Sequence, residues 1–188
     1  MRQAREQWRQ QQAAFDITKL VFLDESGVAT NMAPLYGRSP KGERVYGNVP
    51  HGHWHTNTFI GALRHDGITA PWLLDGPMNG DAFVQYVEEV LAPTLKAGDI
   101  VIADNLSSHK VAGVAQALAK CGARIIYLPA YSPDLNPIEN FFSKLKALLR
   151  KASARSFEGL LDAIAHILDT LTPLECSNYF SAAGYVYT

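Results

Sequence analysis

The sequence predicts an α/β fold, a mixed β-sheet with helices on both faces. Two features of the chain support this prediction. Three strand-like apolar segments come first, and later strands alternate with amphipathic helices. Strands joined by short turns pair antiparallel, whereas strands separated by a helix pair parallel, so one sheet should contain both kinds of pairing.

The first half of the chain predicts one polar helix and three strands. Short apolar runs mark the strands, and Gly, Pro and charged residues mark the connections. In chain order these elements are a helix at residues 1–14, a strand at 20–23 ended by a turn at 24–27, a loop or exposed hairpin at 31–53, and strands at 56–63 and 68–74.

The second half predicts helices that alternate with two strands. Asn79 is a good N-cap for the first of these helices, and Gly122 suits a helix C-terminus. Aromatic residues at helical spacing should pack in the core; they are Phe83, Tyr86, Phe141 and Phe142. The predicted helices start at 79 and span 110–120, 136 to about 151 and 157–171, and the strands span 99–103 and 124–128.

The composition indicates one globular domain. Of 188 residues, 47% are hydrophobic and 19% are charged, and the chain shows neither an apolar run of the ~20 residues that a membrane helix needs nor a signal-peptide pattern. Cys121 and Cys176 lack metal-binding or redox spacing, which predicts idle thiols in a reducing cytoplasm. The net charge of −1 does not indicate a nucleic-acid binder, but five cations and no acid lie between Asn140 and Phe157.

Two apolar strand-like runs each end in an aspartate. Period-two alternation puts Asp24 on the face of Phe22 and Asp104 on the face of Ile102. Ligands of open α/β sheets bind at the carboxyl ends of strands, so both carboxylates are candidates for chemistry. The structural alternative is that each aspartate only caps the turn that follows it.

Glu139 follows Asn136 and Pro137, which predict a helix N-terminus with Asn136 as the N-cap. Glu139 then occupies the capping-box position, which would give it a purely structural role. However, Glu139, Lys146 and Arg150 share one helix face. An acid at the top of a basic face suits a metal-bound phosphate, with a solvated charged face as the alternative.

Three blocks of the sequence resemble the catalytic blocks of mariner-like bacterial insertion-sequence DDE transposases. They lie at residues 22–27, 101–110 and 127–146. In this chain 34 residues lie between Asp104 and Glu139, the spacing characteristic of that family's last two acids. The likeness extends from about residue 16 to the end of the chain.

The resemblance implies a ribonuclease H-like catalytic domain over residues 16–188, with residues 1–15 as an N-terminal helix or linker remnant. It implies that Asp24, Asp104 and Glu139 are catalytic and hold two divalent cations, Mg²⁺ or Mn²⁺, for DNA cleavage and strand transfer. The implied partners are DNA, as transposon ends and target, and a second copy of the chain assembled on DNA. The implied setting is the bacterial cytoplasm, at the nucleoid. A helix-turn-helix region for end recognition is expected to be missing or separately encoded.

Eight basic side chains are candidates for contacts with DNA phosphates, with a solvated surface as the alternative. They lie on the helix that begins near Glu139, just after Asp104, and in the loop before the second strand; they are Lys144, Lys146, Arg150, Lys151, His109, Arg38, Lys41 and Arg44. Glu25 and Asn105 should point away from the acids, and Asp134 should be a turn residue.

Three other interpretations remain open. A metal-dependent nuclease of the same fold would share the acids but would not join strands, so its products would distinguish it. A domesticated, non-catalytic DNA-binding domain would be indicated by the loss of an acid, yet all three are present. His51, His53 and His55 alternate, and they would share one face and suit a transition metal if their segment were a strand.

Overall fold

A five-stranded β-sheet with helices on both faces builds the protein, as the order of elements predicted. The computed structural model describes residues 1–51 and 53–186. The strands are β1 (Leu20–Ala29), β2 (Thr56–Arg64), β3 (Gly67–Asp75), β4 (Ile100–Ala103) and β5 (Arg124–Tyr127), and the helices are α1 (Arg2–Gln12), α2 (Gly80–Tyr86), α3 (Ala112–Lys120), α4 (Ile138–Ala152), α5 (Phe157–Asp169) and α6 (Pro173–Ala182).

The sheet is mixed, with the strand order β3-β2-β1-β4-β5. A two-residue turn joins β2 to β3, and these strands pair antiparallel. Helical segments precede β4 and β5, and these strands pair parallel to each other. β1 lies at the centre, antiparallel to β2 on one side and parallel to β4 on the other.

β1 is longer than the sequence predicts, so the expected turn at residues 24–27 is wrong. Antiparallel pairing with β2 continues to the Ala29–Thr56 pair, and this pairing overrides the turn tendency of Asp and Gly. The parallel pairing with β4 ends earlier, at Leu23 and Ala103. Asp24 consequently lies inside a strand, at the first position where β1 has no neighbour on the β4 side.

The two faces of the sheet carry separate hydrophobic cores. Side chains alternate along β1, so Phe22 faces one core and Leu23 faces the other. Helices α1, α4, α5 and α6 cover the first face, and α2 and α3 cover the second. The aromatic residues expected in the core are buried there, with Phe141 and Phe142 on the first face and Phe83 and Tyr86 on the second.

α1 and the C-terminal segment pack against each other. Trp8 is buried, and its indole N–H donates to the Tyr185 hydroxyl over 2.9 Å. The Gln12 side-chain amide donates to the Ala183 carbonyl, also over 2.9 Å. The predicted polar helix therefore exists, and one side of it belongs to the core of the first face.

The described residues between β1 and β2 form neither a helix nor a strand from 31 to 55, so this segment is the predicted loop rather than a hairpin. His51, His53 and His55 are exposed within it. Cys121 and Cys176 are both free thiols. None of the helices in residues 1–51 and 53–186 is both long and apolar enough to cross a membrane.

Candidate active site

Asp24, Asp104 and Glu139 line one open cavity of about 490 Å³. Asp104 directly follows β4, and Asp24 lies on the adjacent strand β1. Glu139 lies in the first turn of α4. The fold therefore places three acids from distant segments of the chain along one cavity.

Asp24 is almost fully buried and accepts two hydrogen bonds. The Glu25 backbone N–H donates to Oδ1 and the Asn136 side chain donates to Oδ2, each over 2.8 Å. Burial raises the pKa of Asp24 to about 7, although the Glu25 N–H opposes this rise. The negative charges of Glu25, Asp104 and Glu139 add to the rise. Near neutral pH, Asp24 is therefore balanced between its acid and its anion.

Asn136 contacts Asp24 instead of capping α4, so the prediction that it is the N-cap is wrong. It ends a single 3₁₀ turn at Pro133–Leu135, and Pro137 occupies the N-cap position of α4 without a side-chain cap. The Asn136 side chain is buried, and its Oδ1 has no partner within the described structure. The amide is used to orient the acid on β1.

Glu139 is exposed at the start of α4, on the side of the cavity. In the described part of the chain, no capping hydrogen bond from a side chain forms at this helix start. The structural explanation of Glu139 as part of a capping box is therefore not supported. Glu139 is instead an exposed residue that lines the cavity.

His109 is fully buried between the carboxylates of Asp104 and Glu25. Its Nε2 is hydrogen-bonded to Glu25 Oε2 at 2.9 Å. Its Nδ1 lies 2.7 Å from Asp104 Oδ1, in an ion-pair contact that lacks hydrogen-bond alignment. The imidazole stacks on Phe83 with the ring centroids 4.4 Å apart, and the Tyr127 hydroxyl donates to the His109 carbonyl over 2.8 Å. His109 is thus held on every side.

The two carboxylates keep His109 protonated. Burial lowers the pKa of His109, but contacts with Asp104 and Glu25 raise it further, to about 10. Burial has the opposite effect on the acid and acts to raise the pKa of Asp104. The contacts with His109 and the Leu106 backbone N–H outweigh burial and bring the pKa of Asp104 below its usual range. At neutral pH Asp104 is therefore an anion beside a cationic imidazole.

Glu25 belongs to the surroundings of the site, although strand alternation predicts that it points away from the acids. The Glu25 side chain does point to the other face of the sheet, where it contacts His109, whose ring stacks on Phe83 of the second core. However, β4 ends at Ala103, so β1 has an open edge at this point and Glu25 also lines the cavity. Asn105 is exposed and lines the cavity too.

The structure corrects one of the eight candidate DNA contacts and pairs a second with an acid of the protein. His109 is buried and does not present its ring to a phosphate. Lys144 donates to both carboxylate oxygens of Glu175, at 2.6 and 2.7 Å. The packing of α6 against α4 supplies this acid, and α6 is absent from the elements that the sequence predicts.

The other six candidate cations remain available on the surface. Lys146, Arg150 and Lys151 take part in none of the ion pairs found in the described part of the chain. Arg38, Lys41 and Arg44 are exposed in the loop between β1 and β2.

The loop that carries Asn136 is held by residues from both ends of the chain. Arg5 of α1 donates to the Asp134 carboxylate at 2.8 and 2.9 Å. It also donates to the Ser132 hydroxyl at 2.9 Å, and the Tyr185 hydroxyl donates to the Leu135 carbonyl at 2.9 Å. Asp134 lies in the 3₁₀ turn, as a turn residue should, and its charge is used to bind α1.

The donor chemistry of the cavity fits hard divalent cations, because carboxylate oxygens are the ligands that Mg²⁺ prefers. Among the described residues, however, no group of three or more His, Cys, Asp or Glu side chains converges to hold a metal ion. Asn136 and His109 instead contact the oxygens of Asp24 and Asp104. The three histidines of the 31–55 loop, all described, form no such group either. The alternative metal site predicted there is therefore not supported.

A family model described as DDE superfamily endonuclease matches residues 19–161. No curated protein sequence shows significant similarity to the chain.

Solved structures of Mos1 transposase share the fold at low sequence identity. The Mos1 paired-end complex with the left transposon end matches with a TM-score of 0.73 and 16% identity, over 97% of this chain and 57% of the Mos1 chain. The Mos1 strand transfer complex matches with a TM-score of 0.75 and 16% identity, over 97% of this chain and 56% of the Mos1 chain. The Mos1 catalytic domain with raltegravir and Mg matches with a TM-score of 0.70 and 16% identity, over 97% of this chain and 87% of that chain. The protein thus has the ribonuclease H-like mixed sheet of these structures and spans a little over half of the Mos1 chain in the first two.

Proposed function

Because the chain belongs to the DDE superfamily endonuclease family, we propose that it cleaves DNA phosphodiester bonds and joins the freed strand to target DNA. Asp24, Asp104 and Glu139 are the proposed catalytic residues. The observation that supports this most is that the three acids line one cavity, on a fold shared with Mos1 transposase.

The three acids would hold two divalent cations, Mg²⁺ or Mn²⁺. When bound, such ions activate the attacking oxygen and stabilise the leaving oxygen at the scissile phosphate. The protein contributes hard carboxylate oxygens and a concentration of negative charge that raises the pKa of Asp24 beyond the effect of burial. Asn136 orients Asp24, and His109 orients Asp104.

The proposed reaction has two steps of the same kind. Water attacks the phosphorus atom at the element end, so that the P–O3′ bond breaks and leaves a 3′-hydroxyl and a 5′-phosphate. That hydroxyl then attacks a phosphorus atom of the target strand, forming a new P–O bond as the target's own P–O3′ bond breaks. Neither step needs a covalent link to the protein.

The DNA backbone would contact the unpaired cations of α4 and of the 31–55 loop, because phosphate contacts set the position of a bound duplex. These residues are Lys146, Arg150, Lys151, Arg38, Lys41 and Arg44. The Mos1 paired-end structure contains a transposon end, which supports DNA as the partner. Assembly as a dimer, a separate helix-turn-helix region, a bacterial insertion-sequence origin and action at the nucleoid stay predictions of the sequence resemblance.

Nicking of supercoiled plasmid DNA tests the catalytic assignment. The wild-type protein should nick the plasmid in Mn²⁺ or Mg²⁺ and should not do so in EDTA. Asp24→Asn, Asp104→Asn and Glu139→Gln should each reduce nicking to background, because each removes one proposed ligand charge. Glu88→Gln changes an exposed acid away from the cavity and should keep full activity. Full nicking by any of the three variants would overturn the assignment.

The products separate a transposase from a nuclease of the same fold. An oligonucleotide with a free 3′-hydroxyl is incubated with the protein, Mn²⁺ and a plasmid target. A covalently joined oligonucleotide supports strand transfer, whereas nicked plasmid without joining supports the nuclease.

A further inference from the structure

Tyr131 is an exposed aromatic residue on the cavity that the three acids line. It lies in the loop after β5 and is 86% exposed. The loop after β4, which begins with Asp104, contributes Leu106 to the same cavity, and Leu106 is 49% exposed. β4 and β5 are adjacent parallel strands, so both loops leave the same end of the sheet. Apolar surface that solvent can reach therefore borders the acids.

The backbone of Tyr131 is held in a conformation that tyrosine rarely adopts. Its φ is +57°, in the left-handed region, where the Cβ of an L-residue lies too close to the following carbonyl oxygen. The Arg5 guanidinium donates to the Tyr131 carbonyl over 3.2 Å and to the Ser132 hydroxyl over 2.9 Å. That hydroxyl in turn donates to the Ala130 carbonyl over 3.3 Å. The loop is thus fixed on both sides of Tyr131, while the side chain stays in solvent.

A purely structural role does not explain a strained and exposed tyrosine. A side chain that stays in solvent removes little apolar surface from water and so adds little to the stability of the fold. Glycine or asparagine would adopt the same φ with less strain. Backbone strain of this kind is concentrated at functional sites, where the surrounding structure maintains it. An aromatic ring that is already fixed and exposed can stack on a nucleobase without first being ordered.

We propose that Tyr131 stacks on an unpaired nucleobase next to the phosphate that is cut, and thereby positions that phosphate at the three acids. Successive nucleotides of one strand lie about 3.4 Å apart along the helix axis, so a phosphate in the cavity brings its neighbouring bases to the cavity walls. Leu106 adds apolar surface to these walls. Every base has an aromatic face, so the contact should tolerate any base. The inference rests on the proposed function, since it takes DNA as the substrate.

Photocross-linking in EDTA tests this contact without requiring cleavage. The probe is a fluorescein-labelled single strand in which iododeoxyuridine replaces every thymidine, because the excited iodinated base forms a covalent bond with an aromatic ring stacked on it. Mass spectrometry of the peptides identifies the residue that is linked. The wild-type protein should be linked at Tyr131. Tyr131→Phe should keep a link at this position, and Tyr131→Asn should lose it.

Tyr36→Asn is the matched control, since it makes the same change at an exposed tyrosine of the 31–55 loop that does not line the cavity. This variant should still be linked at Tyr131. Links confined to residues other than Tyr131 in the wild-type protein, or the absence of any link, would overturn the stacking contact.

Thermal unfolding separates a binding role of Tyr131 from a structural one. Asparagine tolerates the left-handed conformation, so the midpoint of Tyr131→Asn should stay unchanged or rise. In Mn²⁺, the same variant should nick plasmid DNA about tenfold more slowly than Tyr131→Phe, because only phenylalanine keeps a ring for stacking. A lower midpoint in Tyr131→Asn, or equal nicking by the two variants, would contradict the proposal.

Nicking assays on the wild-type protein keep this inference distinct from the proposed catalytic function. Metal-dependent nicking without a link at Tyr131 rejects the stacking contact alone. A link at Tyr131 without nicking supports the stacking contact and rejects the catalytic function alone.

Discussion

The Asn136 side chain donates a hydrogen bond to Oδ2 of Asp24 over 2.8 Å, although 112 positions separate the two residues. Asn136 lies in the loop that leads into α4, whose first turn carries Glu139. One short segment therefore both supplies the third acid of the cavity and orients the first. This link makes the position of Asp24 sensitive to changes outside β1.

Replacement of Asn136 with Ala should lower the free energy of unfolding at pH 8 by about 1–3 kcal/mol, because a buried carboxylate oxygen loses its donor. Asn140→Ala is the matched control on the exposed side of α4 and should change stability by less than about 0.5 kcal/mol. Urea unfolding measures both values. Equal effects of the two substitutions would contradict the role assigned to Asn136.

The metal-free protein should lose stability as the pH rises from about 4 to 7. The unfolded chain releases the Asp24 proton near pH 3.8, whereas the folded protein keeps it to about pH 7. The unfolded state therefore binds fewer protons in this window, and the free energy of unfolding falls. At 1.36 kcal/mol for each pKa unit, the full effect is roughly 4 kcal/mol.

Asp24→Asn tests this pH dependence, since the amide does not ionise. The fall in unfolding free energy between pH 5 and pH 8, measured by urea denaturation in EDTA, should be clearly smaller in the variant than in the wild-type protein. If the two proteins show the same fall, the proton does not reside on Asp24.

Mn²⁺ should raise the thermal midpoint of the wild-type protein, and more at pH 8 than at pH 5.5, because metal ligands must be deprotonated. At a concentration about 100-fold above the dissociation constant, the gain at pH 8 should be roughly 5–10 °C. Glu139→Gln should reduce this gain, while Glu88→Gln should preserve it. Differential scanning fluorimetry provides the measurement, and a gain that does not depend on pH or on Glu139 would place the ion elsewhere.

His109→Gln should destabilise the metal-free protein most strongly near pH 6, by about 3–5 kcal/mol, because it leaves Asp104 and Glu25 facing each other without a cation. The folded state raises the pKa of His109 to about 10. Its stabilising contribution is therefore complete below pH 6.5 and is lost as the pH rises through about 10. The difference in unfolding free energy between wild type and variant, measured by urea unfolding, should therefore be smaller at pH 10 than at pH 6.

His166→Gln removes an exposed histidine of α5 and serves as the control for this experiment. It should change stability little at either pH. A constant difference between wild type and His109→Gln across the pH range would show that His109 is neutral in the folded protein.

The elements of the sheet could be predicted from local patterns, because short apolar runs bounded by Gly, Pro and charge specify strands. The length of β1 could not, since its second half is set by pairing with β2 rather than by its own composition. α6 begins with a recognisable signal, Thr172 accepting from the Glu175 N–H and Pro173 in the first turn. That signal predicts α6 and places Glu175, the acid that pairs with Lys144, in its first turn.

Resemblance to a family identified the three acids, but the residues that orient them depend on distant contacts. The local sequence predicts Asn136 as an N-cap. Its amide donates to Asp24 instead because the fold brings β1 close to it. Glu25 and His109 lie 84 positions apart. Strand alternation predicts the direction of Glu25 correctly but does not reveal that β4 ends before it and leaves the edge open.

The contacts between α1 and the loop before α4 link the N-terminal helix to the cavity. Arg5 binds Asp134, which lies two positions before Asn136 in the chain. A displacement of α1 would therefore act on the loop whose Asn136 donates to Asp24, without any contact at the acids themselves.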